Sequence, residues 1–233
     1  MDEGQDRSLD RVGALAGLAT VALFVAIVIV IPQVPAQNHS IAEIGRKTAE
    51  HRTGILLGVY LGALLTGALL VFGSAFVARL RRAEGSGGGW WIVALTGIAG
   101  TAVGLTTDII LAALVRAVGH GVSGTALWVG YPAGPDGFVM AIPLAVFFVA
   151  AGLGGRASGV LPRWLGWLAL VVAALFTIGA AGVTGDEVDG GILGSFLLLG
   201  FAGFLIWTVA TSVHLWREPR KARAESREVT VLA

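Results

Sequence analysis

The sequence predicts an all-α polytopic membrane protein with six transmembrane helices and both termini in the cytoplasm. Three observations predict this fold: the composition, the length of the apolar runs and the placement of the basic residues. Hydrophobic residues make up 55% of the 233 and charged residues only 13%, whereas about a quarter of the residues of a soluble domain are charged. The chain contains no cysteine, which excludes disulfides, thiolate nucleophiles and thiolate metal ligands.

Six apolar runs predict the six helices. A helix crosses the hydrocarbon core with about 20 residues, and inside lipid every backbone amide must find its partner within that helix. The fourth run is short and contains Pro143, which removes one helical hydrogen bond. We expect an N-terminal tail over residues 1–11, one transmembrane domain over 12–216 and a basic C-terminal tail over 217–233. The runs are Val12–Ile31, Gly54–Ala78, Trp90–Val115, Phe138–Leu153, Trp164–Val183 and Ile192–Trp216.

The first run is predicted to be a retained span. It has no charged residue and follows an acidic N-terminal segment, whereas a cleaved signal peptide has a basic start and an apolar region of about 7–15 residues. Its length and flank therefore indicate a membrane helix.

The orientation follows from the basic residues. With the N-terminus inside, the inner segments contain twelve arginines and lysines, and the outer segments contain only Arg46, Lys47, Arg52 and Arg116. Arginine and lysine concentrate in the short loops on the cytoplasmic side of a membrane protein. Five of the seven tryptophans fall at the same predicted inner boundary, where indole rings anchor helix ends.

The connection between the first two spans, PAQNHSIAEIGRKTAEHRTG, predicts a short helix that begins after Ser40. Ser40 with Glu43 has the spacing of a capping box, and Glu43 with Lys47 and Arg46 with Glu50 have the spacing of helical ion pairs. No HxxxH or HExxH pattern is present, so we expect no metal site here. No cofactor is predicted for any part of the chain.

Stripes of small residues predict how the helices pack, because lipid is as apolar as leucine and association depends on close approach. In the second span, GILLGVYLGALLT places Gly54, Gly58 and Gly62 on one face at four-residue spacing. In the third span, Gly97 and Gly104 belong to a seam with helical spacing. Packing inside the bundle is the simpler interpretation, and a dimer interface or ligand groove is the alternative.

Asp108 continues the seam of the third span and is the main candidate for a functional residue. A carboxylate inside a membrane helix costs about 2.5–3.5 kcal/mol on insertion scales, and such residues mark functional sites often. We therefore define a candidate intramembrane polar site, in which Asp108 finds its partner in the threonines, on a neighbouring helix or in water. The site consists of Asp108, Thr107, Thr101, Arg116 and His120.

Two segments carry a resemblance. AEIGRKTAEHRTGILLGVYLGALLTGALLVFGSAFVARLRRAEG, residues 42–85, and IPLAVFFVAAGLGGRASGVLPRWLGWLALVVAALFTIG, residues 142–179, resemble hairpins of a group of uncharacterised six-helix membrane proteins from high-GC bacteria. The resemblance implies a six-helix fold in the bacterial cytoplasmic membrane. It implies no reaction and no catalytic residue.

Three functions remain open on the sequence alone. Short loops and glycine stripes favour a non-enzymatic accessory or interaction protein, whose partners are membrane lipid and a second copy or another membrane protein. A small transporter or channel would use Asp108 with Thr101 and Thr107. A membrane enzyme acting on a lipid or isoprenoid would need two positioned acid–base groups, drawn from Asp108, His120 and Asp136. Nucleic acid is not an expected partner.

Overall fold

The computed structural model describes residues 3–30, 40–105, 113, 115–117, 138–181 and 191–231, and all secondary structure in these ranges is helical. The prediction of an all-α fold is therefore confirmed for the described residues. The helices are α1 (Glu3–Val30), α2 (Ile41–Glu50), α3 (Arg52–Glu84), α4 (Trp90–Leu105), α5 (Phe138–Ala157), α6 (Arg163–Ala180) and α7 (Gly191–Val231). A 3₁₀ turn, Gly85–Gly87, follows α3.

Five of these helices are long and apolar enough to cross a membrane, which is the property of a membrane protein. The candidate spans are Ser8–Val30, Arg52–Glu84, Met140–Ala157, Arg163–Ala180 and Ile192–Arg217. The third predicted run is described as a continuous helix over Trp90–Leu105, which is 16 residues, or about 24 Å of rise, and Ala113 and Val115 are also helical. Its remainder includes residues outside the described ranges, so the sixth span stays a prediction.

Several helices extend beyond the apolar runs that predicted them. α3 continues through Arg79, Arg81 and Arg82 to Glu84, and α7 continues past Trp216 into the basic tail, to Val231. Arginine, lysine, alanine and glutamate are good helix formers, so a helix does not end where the hydropathy falls. Hydropathy marks the hydrocarbon boundary, whereas the helix ends where the backbone turns.

The short α2 forms as the sequence predicts. The Ser40 hydroxyl accepts a hydrogen bond from the Glu43 amide at 3.3 Å, which satisfies one of the free amides of the first turn. The ion pairs Arg46–Glu50, at 2.7 Å, and Lys47–Glu43, at 3.3 Å, lie along its exposed side. The capping residue and both pairs are therefore confirmed.

The membrane helices form a closed ring. Each long helix packs against its neighbour in the chain, in the order α1, α3, α4, α5, α6 and α7, and α7 packs back against α1. The closing contact includes the rings of Phe24 and Phe201, whose centroids are 5.5 Å apart. A ring of this kind requires only short connections between sequential neighbours.

Aromatic side chains from three helices fill the centre of this ring. The Trp207 indole lies 5.0 Å from the Phe148 ring and 5.7 Å from the Phe76 ring, between centroids. Phe72 and Phe147 complete this set, which we call the aromatic core, and all five side chains are buried. The Trp207 Nε1 donates a hydrogen bond of 3.1 Å to the Leu165 carbonyl, so the buried indole N–H is satisfied.

Most of the arginines that form an ion pair or a cation–π contact with a described residue lie at one end of the bundle. Asp10 joins α1 to α3 through Arg79, while Gly154 of α5 lies against Trp90 and Glu84, at the facing ends of α4 and α3. We call this the arginine end of the bundle. α2 lies at the opposite end, at the start of α3.

Candidate functional site

The predicted seam of the third span lies against α5. A Cβ on Gly97 would lie 2.5 Å from the Phe147 backbone nitrogen, and one on Gly104 would lie 3.2 Å from the Met140 Cβ. Between them Thr101 is fully buried, and its hydroxyl donates to the Gly97 carbonyl at 2.9 Å. The absence of side chains at the two glycines brings the backbones of α4 and α5 together.

Only part of the candidate intramembrane polar site is described. Asp108, Thr107 and His120 lie outside the described residues, as does Asp136. The Arg116 side chain is exposed, and its carbonyl accepts a 3.2 Å hydrogen bond from the Arg52 guanidinium at the start of α3. Thr101 and Arg116 are thus both placed, and the partner of Asp108 stays a matter of prediction.

The glycine stripe of the second span faces the interior of the bundle. Gly58 and Gly62 are buried and Gly54 is half-buried. The Thr66 hydroxyl donates to the Gly62 carbonyl at 2.9 Å, which removes it as a free polar group. The opposite face of the same helix is exposed, and there Tyr60, Gly67 and Ser74 lie seven residues apart.

A group of buried hydroxyls on α7 was not predicted. Thr208, Thr211 and Ser212 are at most 1% exposed, and their hydroxyl oxygens have no hydrogen-bond partner among the described residues. Gly17 of α1 lies against the Ser212 hydroxyl. The signal in the sequence was TVATS, residues 208–212, which interrupts an apolar run with hydroxyls at helical spacing.

At the arginine end, one carboxylate holds two arginines. The Asp10 oxygens lie 3.1 Å from the Arg79 guanidinium and 3.1 Å from the Arg82 guanidinium. The Asp10 and Arg79 side chains are only 13% and 16% exposed. This ion pair fixes the start of α1 against the end of α3.

Two further arginines at this end lie on tryptophan rings. The Arg81 guanidinium carbon is 4.9 Å from the centre of the Trp91 ring, and that of Arg156 is 4.4 Å from the Trp167 ring. Glu84 also lies here, and its two carboxylate oxygens are buried with no hydrogen-bond partner in the described part of the chain.

The described residues offer no cluster for metal chemistry. In the ranges that the structure covers, no three histidine, aspartate or glutamate side chains lie together in a way that could hold a metal ion. The polar groups that are brought together are hydroxyls, guanidiniums and single carboxylates.

Comparison with protein-family models, with curated proteins and with solved structures finds no match for this chain. The class of the protein therefore rests on its own helices. They are the helices of a membrane protein, and the six-helix group that the two segments resemble stays a prediction.

Proposed function

We propose that this chain is a six-span protein of the bacterial cytoplasmic membrane, with both termini inside, that acts as a non-enzymatic accessory or interaction protein. The observation that carries this proposal is the aromatic core. Rings of Phe72, Phe76, Phe147, Phe148 and Trp207 occupy the centre of the helix ring, where a transporter needs a polar path. The functional surface of such a bundle is its outside.

The exposed face of α3 is the part of that outside on which we place the partner. A Cβ at Gly67 would have no neighbouring atom within 4 Å, and Tyr60 is 60% exposed. Glycine and serine let a second helix approach closely, and in lipid this contact is the main force between helices. A stripe of Tyr60, Gly67 and Ser74 at seven-residue spacing has the period of a helix–helix seam.

Purification of the tagged chain from its own membranes in a mild detergent tests the accessory role. We expect a second membrane protein, or a second copy, in a fixed molar ratio. Gly67→Leu should lower that ratio because it fills the gap on the exposed face of α3. The matched control is Ala174→Leu on α6, which is also exposed and should leave the ratio unchanged. A chain that purifies as a monomer without a stoichiometric partner contradicts the proposal.

A small transporter is the second candidate, and the buried hydroxyls of Thr208, Thr211 and Ser212 favour it. Hydroxyls without partners inside a bundle are costly, by about 1–3 kcal/mol each, and a polar path would give them partners. Proton or ion flux into liposomes distinguishes the two candidates. The accessory role predicts no flux from the natural chain or from Asp108→Asn, whereas flux that the Asp108→Asn substitution abolishes would establish the transporter.

A membrane enzyme acting on a lipid or isoprenoid is the third candidate. It depends on Asp108, His120 and Asp136, which lie outside the described residues, so no contact favours it.

A further inference from the structure

The two arginine–tryptophan stacks at the arginine end have a feature that the accessory role does not use. Arg81 and Arg156 each lie on an indole ring, and neither guanidinium has a hydrogen bond or an ion pair with a described residue. Arg79 and Arg82 on the same end are instead paired with Asp10. A guanidinium has five N–H donors and no acceptor, so within the described part of the chain both stacked guanidiniums have their donors unpaired.

The position of Arg156 is built into the backbone. Gly166 lies directly beneath the Arg156 side chain, and a Cβ there would collide with its Cγ and Cδ atoms. The missing side chain at Gly166 therefore allows the aliphatic part of Arg156 to lie across α6, which brings the guanidinium over Trp167 one residue further along. The segment GLGGRASGVLPRWLGWL, residues 152–168, contains every part of this arrangement.

The tryptophans indicate the depth at which both guanidiniums would lie in a membrane. Trp167 and its neighbour Trp164 are each 58% exposed at the start of α6, and indole rings at helix ends sit at the boundary between hydrocarbon and water. The guanidinium stacked on the ring presents its edge at the same depth. A phosphate diester is the anion found there, and the planar guanidinium matches its oxygens in a bidentate way.

We propose that Arg156 on Trp167 and Arg81 on Trp91 form two binding sites for the phosphate of an anionic phospholipid, one at each of the α5–α6 and α3–α4 hairpins. The proposal requires the chain to lie in a membrane and does not require the accessory role. Each site takes one lipid, with the phosphate on the guanidinium and the acyl chains along the exposed apolar surface of the helices.

Native mass spectrometry of the full chain in neutral detergent, titrated with phosphatidylglycerol, tests this proposal. We expect two tightly bound lipids on the natural chain, with one lost in Arg156→Gln and in Arg81→Gln. Removal of one basic group at a membrane surface corresponds to about five-fold weaker binding at that site. Trp167→Leu should weaken the same site because the guanidinium loses its support. The ring of Trp167 is exposed, so this variant tests the site even if Arg156→Gln folds poorly.

Three controls distinguish a specific lipid-binding site from general electrostatic attraction. Arg163→Gln removes the same charge at the same end from an exposed arginine that has no ring contact in the described structure, and it should leave both bound lipids in place. Phosphatidylcholine and inorganic phosphate should not bind at the concentrations that saturate phosphatidylglycerol. Equal losses in Arg163→Gln and Arg156→Gln, equal binding of phosphatidylcholine, or displacement by inorganic phosphate alone would each overturn the proposal.

Discussion

At the scale of single residues, the charged groups of this protein differ in how completely the chain pairs them. Asp10 is shared by two guanidiniums in a mostly buried position, while Arg81 and Arg156 are stacked on rings and have no carboxylate partner among the described residues. Glu50 pairs with Arg46 on the exposed side of α2, where both side chains are at least half exposed. Water screens a pair of this last kind, and its contribution to stability is small.

Asp10→Asn should destabilise the protein more than any exposed charge substitution. The change leaves Arg79 and Arg82 without their shared carboxylate, at a cost of about 1–3 kcal/mol in the free energy of unfolding. Unfolding of the purified chain in mixed micelles by a denaturing detergent measures this cost. Glu50→Gln removes the same charge from an arginine pair, and because that pair is exposed it should cost less than about 1 kcal/mol. Equal effects of the two substitutions would show that the Asp10 pair adds nothing beyond a surface contact.

At the scale of helices, the close contact of α4 with α5 depends on glycine. Gly97→Ala introduces a Cβ at 2.5 Å from the Phe147 backbone nitrogen, a distance that requires the two helices to separate. Overpacking of this kind costs about 1–3 kcal/mol, and we expect a lower melting temperature in detergent.

The matched control is Gly67→Ala, which has open space on the exposed face of α3. Alanine is the better helix former by about 0.8–1.0 kcal/mol, so this variant should be as stable as the natural chain or more so. A Gly97→Ala variant with unchanged stability would mean that α4 and α5 are not in close contact in the membrane.

Hydropathy could predict the helices, but it could not predict which face of each helix is buried. The apolar runs predicted α1, α3, α5, α6 and α7 because hydropathy and backbone satisfaction in lipid leave only the helix. In water a buried face differs from an exposed face by its apolar residues, but in lipid both faces are apolar, so this difference disappears. Exposed residues such as Leu198, at 72%, are therefore as hydrophobic as buried ones such as Leu165.

What the sequence retained about packing was carried by small and polar residues. Gly97 and Gly104 have α5 as their neighbour, a partner that spacing alone did not identify. Trp207 was not among the five predicted boundary tryptophans and received no role from the sequence, although it lies in the aromatic core. Its role depends on rings from α3 and α5, which are more than fifty residues away in sequence, and a local pattern contains no information about such contacts.

At the scale of the whole molecule, the closed ring determines which helix ends lie at the same end of the bundle. Trp90, Glu84 and Gly154 meet at the arginine end, so α3 and α5 arrive at the same side, from which α4 and α6 depart. His214 near the end of the last candidate span lies 3.2 Å from the Val160 carbonyl in the α5–α6 connection. The arginine end therefore includes the end of α7 as well, and positive charge collects on the cytoplasmic side.

This arrangement predicts a labelling pattern that tests the proposed orientation. The natural chain has no cysteine, so each variant carries a single reactive thiol. Ala49 on α2 and Ala83 at the end of α3 are both exposed and lie at opposite ends of the bundle. In cells whose outer envelope layers are removed and whose cytoplasmic membrane is intact, a membrane-impermeant maleimide should label Ala49→Cys at once. Ala83→Cys and Ala233→Cys should react only after the membrane is permeabilised, because the proposed orientation puts both on the cytoplasmic side. Labelling of Ala83→Cys before permeabilisation would contradict the proposed orientation, since the basic residues would then lie outside.

Opposite behaviour of Ala83→Cys and Ala233→Cys would instead contradict the even number of spans between them, and with it the six-helix topology.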